Sequence, residues 1–115
     1  MKKETNNPNN FLLYTSGEGA VKVAVLLKDE TIWLTIKQLA YLFGIDKSGI
    51  SRHIKNIFET GELQEKATVA KIATVQTEGG RNVSRSLDFY NLDMIISAGY
   101  RVNSIRGTHF RIWAT

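Results

Sequence analysis

The sequence predicts an α+β fold, a winged helix-turn-helix-like domain with small antiparallel β-sheets. Three observations predict it. Runs of branched and aromatic residues at 11–15, 21–27 and 31–34 indicate strands, and two short helical periodicities follow between residues 35 and 61. Two further strand-like runs, 68–77 and 82–91, then surround a glycine-rich turn. Two short helices followed by a hairpin indicate a helix-turn-helix with a wing.

The composition indicates one globular domain. Of 115 residues, 43% are hydrophobic and 23% are charged, and none is cysteine, which excludes disulfides and thiolate ligands. No apolar run approaches the roughly 20 residues that a membrane-spanning helix needs, and no signal-peptide pattern is present. We therefore expect a cytoplasmic protein that does not enter a membrane. Residues 1–10 are polar and asparagine-rich, which predicts a flexible tail before a single domain over 11–115.

The charge balance is compatible with nucleic acid but does not require it. The net charge is +4, and the segment from residue 79 to 115 contains five arginines against two aspartates. Many basic proteins bind no DNA, so the net charge only slightly favours nucleic-acid binding over other functions.

The first three strands form an antiparallel meander in the simplest interpretation. Residues 16–19, reading Ser-Gly-Glu-Gly, supply the first turn, and residues 28–30, reading Lys-Asp-Glu, supply the second.

The helical pair carries its own start and stop signals. Thr35 is a suitable N-cap with Gln38 at the third helical position, as in a capping box. Gly44 is placed to end the first helix in the left-handed conformation, Asp46 to cap the second, and Gly61 to close it.

The second helix has an apolar face and a polar, cationic face. At 100° per residue, the apolar residues share one arc: Ile50, Ile54, Ile57 and Phe58. Ser48, Arg52 and Lys55 fall on the opposite side, Ser51 lies on its shoulder, and Lys47 lies in the first turn.

These side chains suit a DNA-reading helix. Arg52 is long and planar enough to contact guanine O6 and N7 together, which contributes about 1–3 kcal/mol of discrimination. Lys47 and Lys55 suit phosphate contacts, and the hydroxyls of Ser48 and Ser51 permit close approach to the DNA. The alternative is a pair of packed helices whose outer face is polar because it faces water.

The hairpin and the last segment complete the predicted domain. Arg81 and Arg85 can reach a phosphate or the minor groove as a wing does, or they can simply be solvated near the hairpin tip. A helix is predicted from Asn91 or Asp93 to Gly99, and another from Asn103 or Ser104 to the end.

No pattern indicates catalysis, so we predict no enzyme, no metal and no cofactor. His53 and His109 lack a second histidine at ligand spacing. The Gly17-Glu18-Gly19 run lacks the third glycine of a dinucleotide-binding fingerprint, because Lys22 stands at that position and a strand follows it.

Several motifs together resemble the RhuM virulence-protein family of bacteria. They lie in the helical pair at 33–35, 38–44, 50–58 and 61–63, and beyond it at 90–93, 100–104, 106–108 and 110–115. The resemblance covers most of the chain after about residue 30. It implies a DNA-binding protein of mobile or pathogenicity-associated DNA, with a helical region that continues beyond residue 115.

The last part of the chain also resembles phage antirepressor-type N-terminal domains. The stretch is Arg106 to Trp113, in which an arginine and a small residue precede an aromatic helix. This second resemblance implies a protein-interaction or homodimerisation module, with a protein partner docked through the region from Tyr90 to Trp113 and no direct DNA contact. The two function classes differ in salt dependence, since DNA affinity falls steeply with salt.

Overall fold

The structure is a computed structural model that describes residues 11–15, 22–102 and 105–114. The predicted tail, the turn at 16–19 and the start of the last helix lie outside the described residues. The fold is α+β, as predicted. The described strands are β1 (Phe11–Thr15), β2 (Lys22–Lys28), β3 (Thr31–Leu34), β4 (Val69–Glu78) and β5 (Arg81–Asn91). The described helices are α1 (Ile36–Phe43), α2 (Lys47–Glu59), α3 (Glu65–Thr68), α4 (Leu92–Val102) and α5 (Ile105–Ala114).

The five described strands form one antiparallel sheet in the order β1-β2-β3-β5-β4. The predicted meander and the predicted hairpin are both confirmed, but they are not separate sheets. Only the last residues of β3 join them, with Trp33 opposite Asn91 and Leu34 opposite Tyr90. Beyond this junction β4 and β5 pair only with each other, up to Glu78 and Arg81. We call this two-stranded extension, residues 69–91, the ribbon.

Two tight turns set the strand registers. Asp29 and Glu30 have φ angles of 55° and 62°, and Gly79 and Gly80 have φ angles of 58° and 78°. Positive φ at both central residues is what the hairpin turn matching strand twist requires. Glycine adopts it without strain, whereas Asp29 and Glu30 are held there by the flanking β2–β3 pairs.

The helix ends follow the predicted capping chemistry. Thr35 and Gln38 form a complete capping box at α1, and Gly44 ends that helix in the left-handed conformation with φ 74°. Asp46 caps α2. After α2, the Gly61 N–H donates to the Phe58 carbonyl and the Glu62 N–H to the Ile57 carbonyl, which is the Schellman arrangement.

One predicted helix end was wrong. α4 does not stop at Gly99 but continues to Val102. Gly99 is buried within the helix and therefore does not act as its C-cap. The short α3 was not predicted, since four residues carry too little periodicity to be recognised.

The main core lies between the helices and one face of the sheet. It includes Val25 and Leu34 from the strands, Leu39 and Ile50 from the helical pair, and Ile95 from α4. A second, smaller cluster of Leu26, Trp33 and Phe89 lies on the opposite face, with Ile72 and Leu87 packed against it. No helix in the described part of the chain is long and apolar enough to cross a membrane.

Candidate nucleic-acid interface

The outer face of α2 is arranged as the helical spacing predicted. Its five candidate contact residues are all exposed: Lys47, Ser48, Ser51, Arg52 and Lys55. On the inner face Ile50, Ile54 and Ile57 are buried in the main core, and Phe58 is packed against it. Because α1 and α4 both pack against α2, the orientation of its outer face is fixed by the core.

The first turn of α2 is held by a network around Asp46. The Gly49 N–H donates to Asp46 Oδ1 at 2.9 Å, and Ser48 Oγ donates to Oδ2 at 3.0 Å. These hydrogen bonds, with the backbone donor Gly49 contributing most, lower the pKa of the Asp46 carboxyl. Since Ser48 donates its hydroxyl hydrogen to Asp46, this hydroxyl can accept a hydrogen bond from a ligand but would have to break its bond to Asp46 in order to donate.

Gly49 makes this cap sterically possible. A Cβ at this position would lie 2.8 Å from Asp46 Oδ1 and 3.3 Å from Ile45 Cδ1. Any larger residue therefore displaces the capping carboxylate. The short Asp-Lys-Ser-Gly run thus fixes where the exposed face of α2 begins.

The cations of α2 have no acidic partner among the described residues. Neither Lys47, Arg52 nor Lys55 has a carboxylate oxygen within 4.0 Å in the described ion pairs. Arg52 lies close enough to Asp46 to help lower the pKa of that carboxyl. The three cations are therefore presented to solvent at the surface of a rigid helix.

The ribbon holds its cations differently. Arg85 Nε donates to Glu78 Oε2 at 2.9 Å, and a second bond joins the same two side chains. The hydrogen bond from Arg85 lowers the pKa of Glu78. Lys71 is likewise paired with Asp88 at 2.8 Å. Arg81, beside the turn, is exposed. Of the two predicted wing residues, only Arg81 lacks an acidic partner within the described part of the chain.

A groove lies between the ribbon and the N-terminal ends of α1 and α2. We call it the lysine groove; its volume is about 550 Å³. Its lining includes Lys37 from α1, Lys47 from α2, and Lys71, Ser86 and Asp88 from the ribbon. Lys37 was missed by the sequence reasoning. Its exposed position in the first turn of α1 was visible, but only the fold shows that it lies beside Lys47.

The C-terminal helices expose apolar side chains. Tyr100 is 66% exposed and Ile112 is 69% exposed. Trp113 is partly exposed, and its ring packs edge-on against Tyr14 at 5.1 Å between centroids. Trp113 is thus attached to the edge of the core, whereas Tyr100 is not a core residue.

The remaining arginines do not extend the cationic face of α2. Arg101 pairs with Glu62 at 3.0 Å and so links α4 to the segment after α2. The side chains of Arg106 and Arg111 lie outside the described residues. Over the described residues, histidine, aspartate and glutamate side chains form no cluster of three that could hold a metal ion.

The family comparison matches the C-terminal part of the chain. Residues 67–115 match the model of the Virulence protein RhuM family. This confirms the predicted RhuM resemblance over the ribbon, α4 and α5. The matched region does not include the helical pair. No curated protein and no solved structure matches the chain significantly.

Proposed function

We propose that this chain is a winged helix-turn-helix domain that binds double-stranded DNA with the outer face of α2 in the major groove. The observation that carries the proposal is the pairing state of the α2 cations. Lys47, Arg52 and Lys55 are exposed, have no acidic partner among the described residues, and lie on a helix whose opposite face is buried. Such cations can exchange solvent and counterions for phosphates and base edges without breaking an ion pair.

In this proposal the side chains of α2 divide the contacts between them. Arg52 reads a guanine edge, and Lys55 contacts a phosphate. Ser51, whose hydroxyl makes no hydrogen bond within the described part of the chain, can donate to a base or a phosphate, whereas Ser48 can only accept while it donates to Asp46. The hydroxyl that can donate to DNA therefore lies beyond the hydrogen-bonded first residues of α2, next to Arg52.

The lysine groove supports the same orientation. Lys37 and Lys47 belong to different helices but line one groove, beside the hydroxyl of Ser86. Lysine ammonium groups and a hydroxyl are donors suited to one strand of the sugar-phosphate backbone. With the backbone in this groove, the ribbon lies alongside the duplex and acts as the wing, and Arg81 is its cation nearest the tip.

A role in transcription regulation on virulence-associated DNA goes one step further. The family match supports it, because the matching family is a family of virulence proteins. The binding proposal does not depend on that step.

The test is DNA binding by fluorescence anisotropy with labelled duplex fragments at several salt concentrations. Replacing Arg52→Ala together with Lys55→Ala should weaken binding at least tenfold, since a base contact and a phosphate contact are lost. The slope of log affinity against log salt should also become shallower by about one to two. The thermal midpoint should change little, because both side chains are exposed.

The matched control is Lys22→Ala together with Lys66→Ala, two exposed lysines that form no ion pair among the described residues. It removes the same two charges from residues that lie outside α2 and line neither the lysine groove nor the helix face. We expect less than a threefold change. Equal losses for the two double variants would mean that only net charge matters, and α2 would not be the reading helix.

A second candidate function is a protein-interaction or dimerisation module. The exposure of Tyr100 and Ile112 on α4 and α5 favours it, because large apolar side chains at a surface are typical of partner contacts. Absence of DNA binding at low salt, with self-association by sedimentation that Ile112→Ser removes, would support this candidate over the first.

A further inference from the structure

A second groove adjoins the lysine groove, with which it shares Thr35, Lys37, Gln76 and Leu87. Its lining combines the β2 residues Lys22 and Ala24, the α1 residues Lys37 and Tyr41, and the ribbon residues Leu87 and Phe89. We call it the amphipathic groove. Its volume is about 460 Å³, which lies within the range of small-molecule sites.

The inner wall of the amphipathic groove is apolar and firmly supported. Phe89 is only 4% exposed and belongs to the second cluster with Leu26 and Trp33, against which Leu87 packs. Gln38 anchors the opposite wall, since its Nε2 donates to the Ala24 carbonyl at 2.9 Å while its Oε1 accepts from the Thr35 N–H. The groove is therefore a preformed feature of the fold.

The charged lining of the amphipathic groove has a single sign. Among the described residues of its lining, the charged side chains are Lys22 and Lys37, and none is an aspartate or glutamate. Both lysines are exposed, and neither forms an ion pair within 4.0 Å among the described residues. An apolar wall beside two cations is complementary to a molecule with an apolar body and one anionic group.

We propose that the amphipathic groove binds a small aromatic anion, such as an aromatic carboxylate or sulfonate. The ring of the ligand packs against Leu87 and Phe89, and its anionic group lies between Lys22 and Lys37. A phosphate backbone suits this groove less well than the lysine groove, because the apolar wall offers it no donors. The site is separate from the outer face of α2, although α1 lines the groove and packs against α2.

The probe for this test is 8-anilinonaphthalene-1-sulfonate, an aromatic anion, with N-phenyl-1-naphthylamine as its neutral counterpart. Both are titrated by fluorescence. The blocking variant is Ala24→Leu, which fills the groove from an exposed strand position and keeps the backbone carbonyl that Gln38 uses. The charge variant is Lys22→Gln, which leaves α2 and the lysine groove unchanged.

We expect one sulfonate probe per chain, at least tenfold weaker binding in Ala24→Leu, and two- to fivefold weaker binding in Lys22→Gln. Lys22→Gln should leave binding of the neutral probe unchanged. The charge control Lys66→Gln should bind the sulfonate probe as the unaltered chain does. If Ala24→Leu unfolds the chain, Thr74→Leu fills the groove from the ribbon wall and takes its place.

A different apolar hollow, formed by Tyr14, Thr15, His109, Ile112 and Trp113, is the competing location for the probe. Ile112→Ser tests it and should leave binding intact. Binding lost in Ile112→Ser and retained in the blocking variant would overturn the proposal. Equal weakening of both probes by Lys22→Gln would also overturn it, since the lysine would then not recognise charge. None of these results depends on whether α2 binds DNA.

Discussion

α2 and the ribbon both carry cations that the sequence predicted as DNA contacts, but they differ in how these cations are paired. All three on α2 lack an ion pair among the described residues, whereas in the ribbon Arg85 is paired with Glu78 and Arg81 is not paired. Along α2, the residues one turn before and after Arg52 are Ser48, Gly49, Lys55 and Asn56, none of which is acidic. The Asp46 carboxylate at the cap interacts with Arg52 electrostatically but forms no ion pair with it within 4.0 Å in the described part of the chain. In the ribbon, Glu78 lies opposite Arg81 in register yet takes the guanidinium of Arg85. The number of cations in an element therefore does not decide whether they can bind a ligand. The positions of neighbouring carboxylates on the same element decide it.

The two regions also differ in how they are attached. α2 is buried along its inner face between α1 and α4. The ribbon is attached to the rest of the sheet through two residue pairs at its base, and its far part is exposed or half-buried along both strands. α2 is therefore firmly supported by the core, whereas the far part of the ribbon is less supported.

The largest expected effect tests this difference in support. Ile50→Ala removes a fully buried side chain of α2 and should lower the free energy of unfolding by about 2–5 kcal/mol. Val75→Ala, at a ribbon position that is 63% exposed, should change it by less than about 0.5 kcal/mol. Urea unfolding followed by circular dichroism measures both. Comparable losses at the two positions would show that the ribbon is packed as firmly as α2.

The second prediction concerns a variant in which Arg85 of the ribbon is unpaired, as the cations of α2 are. Glu78→Gln releases Arg85 and should strengthen DNA binding about threefold, with a steeper salt dependence. Arg85→Ala in the unaltered chain should change affinity less than twofold, because the side chain is already engaged. Anisotropy titrations measure both variants.

The control for this prediction is Glu30→Gln, which removes one negative charge at the distant β2–β3 turn. It should leave DNA affinity nearly unchanged. A strong loss with Arg85→Ala and no gain with Glu78→Gln would show that Arg85 contacts DNA despite its partner.

The smallest effect concerns the acid sensitivity of the α2 cap. Folding lowers the pKa of Asp46, so its stabilising contribution is complete above the unfolded value near 4 and is lost as pH falls through the folded value. Glu62 and Glu78 shift in the same direction and add to the same acid loss. Asp46→Asn keeps a good N-cap without the titration.

We therefore expect Asp46→Asn to have a Tm close to that of the unaltered chain at pH 7 and a smaller fall in Tm between pH 6 and pH 2. Scanning calorimetry over that range measures the difference, which should be a few degrees. An equal fall in both proteins would mean that the Asp46 cap contributes nothing to acid sensitivity.

Much of the candidate site could be predicted because it depends on residues close together in the chain. The capping box of Thr35 and Gln38, the cap at Asp46 and the exposure of Arg52 all follow from helical spacing over three or four residues. The ribbon turn followed from two adjacent glycines. The end of α4 was misplaced because Gly99 is buried inside the helix, and a single sequence does not distinguish such a glycine from a C-cap glycine.

What the sequence determined by itself was the set of elements and the polarity of their faces, since backbone dihedral preferences and side-chain periodicity act over one or two turns. The tertiary structure decided which distant residues meet. Pairing of β3 with β5 made one sheet out of two motifs, brought Lys37 and Lys47 to one groove, and formed the amphipathic groove between β2, α1 and the ribbon. It also placed Arg85 against Glu78. These contacts depend on strand register and on burial between residues that lie far apart in the sequence. Several registers and pairings are compatible with the same sequence pattern, so the pattern alone does not select one of them.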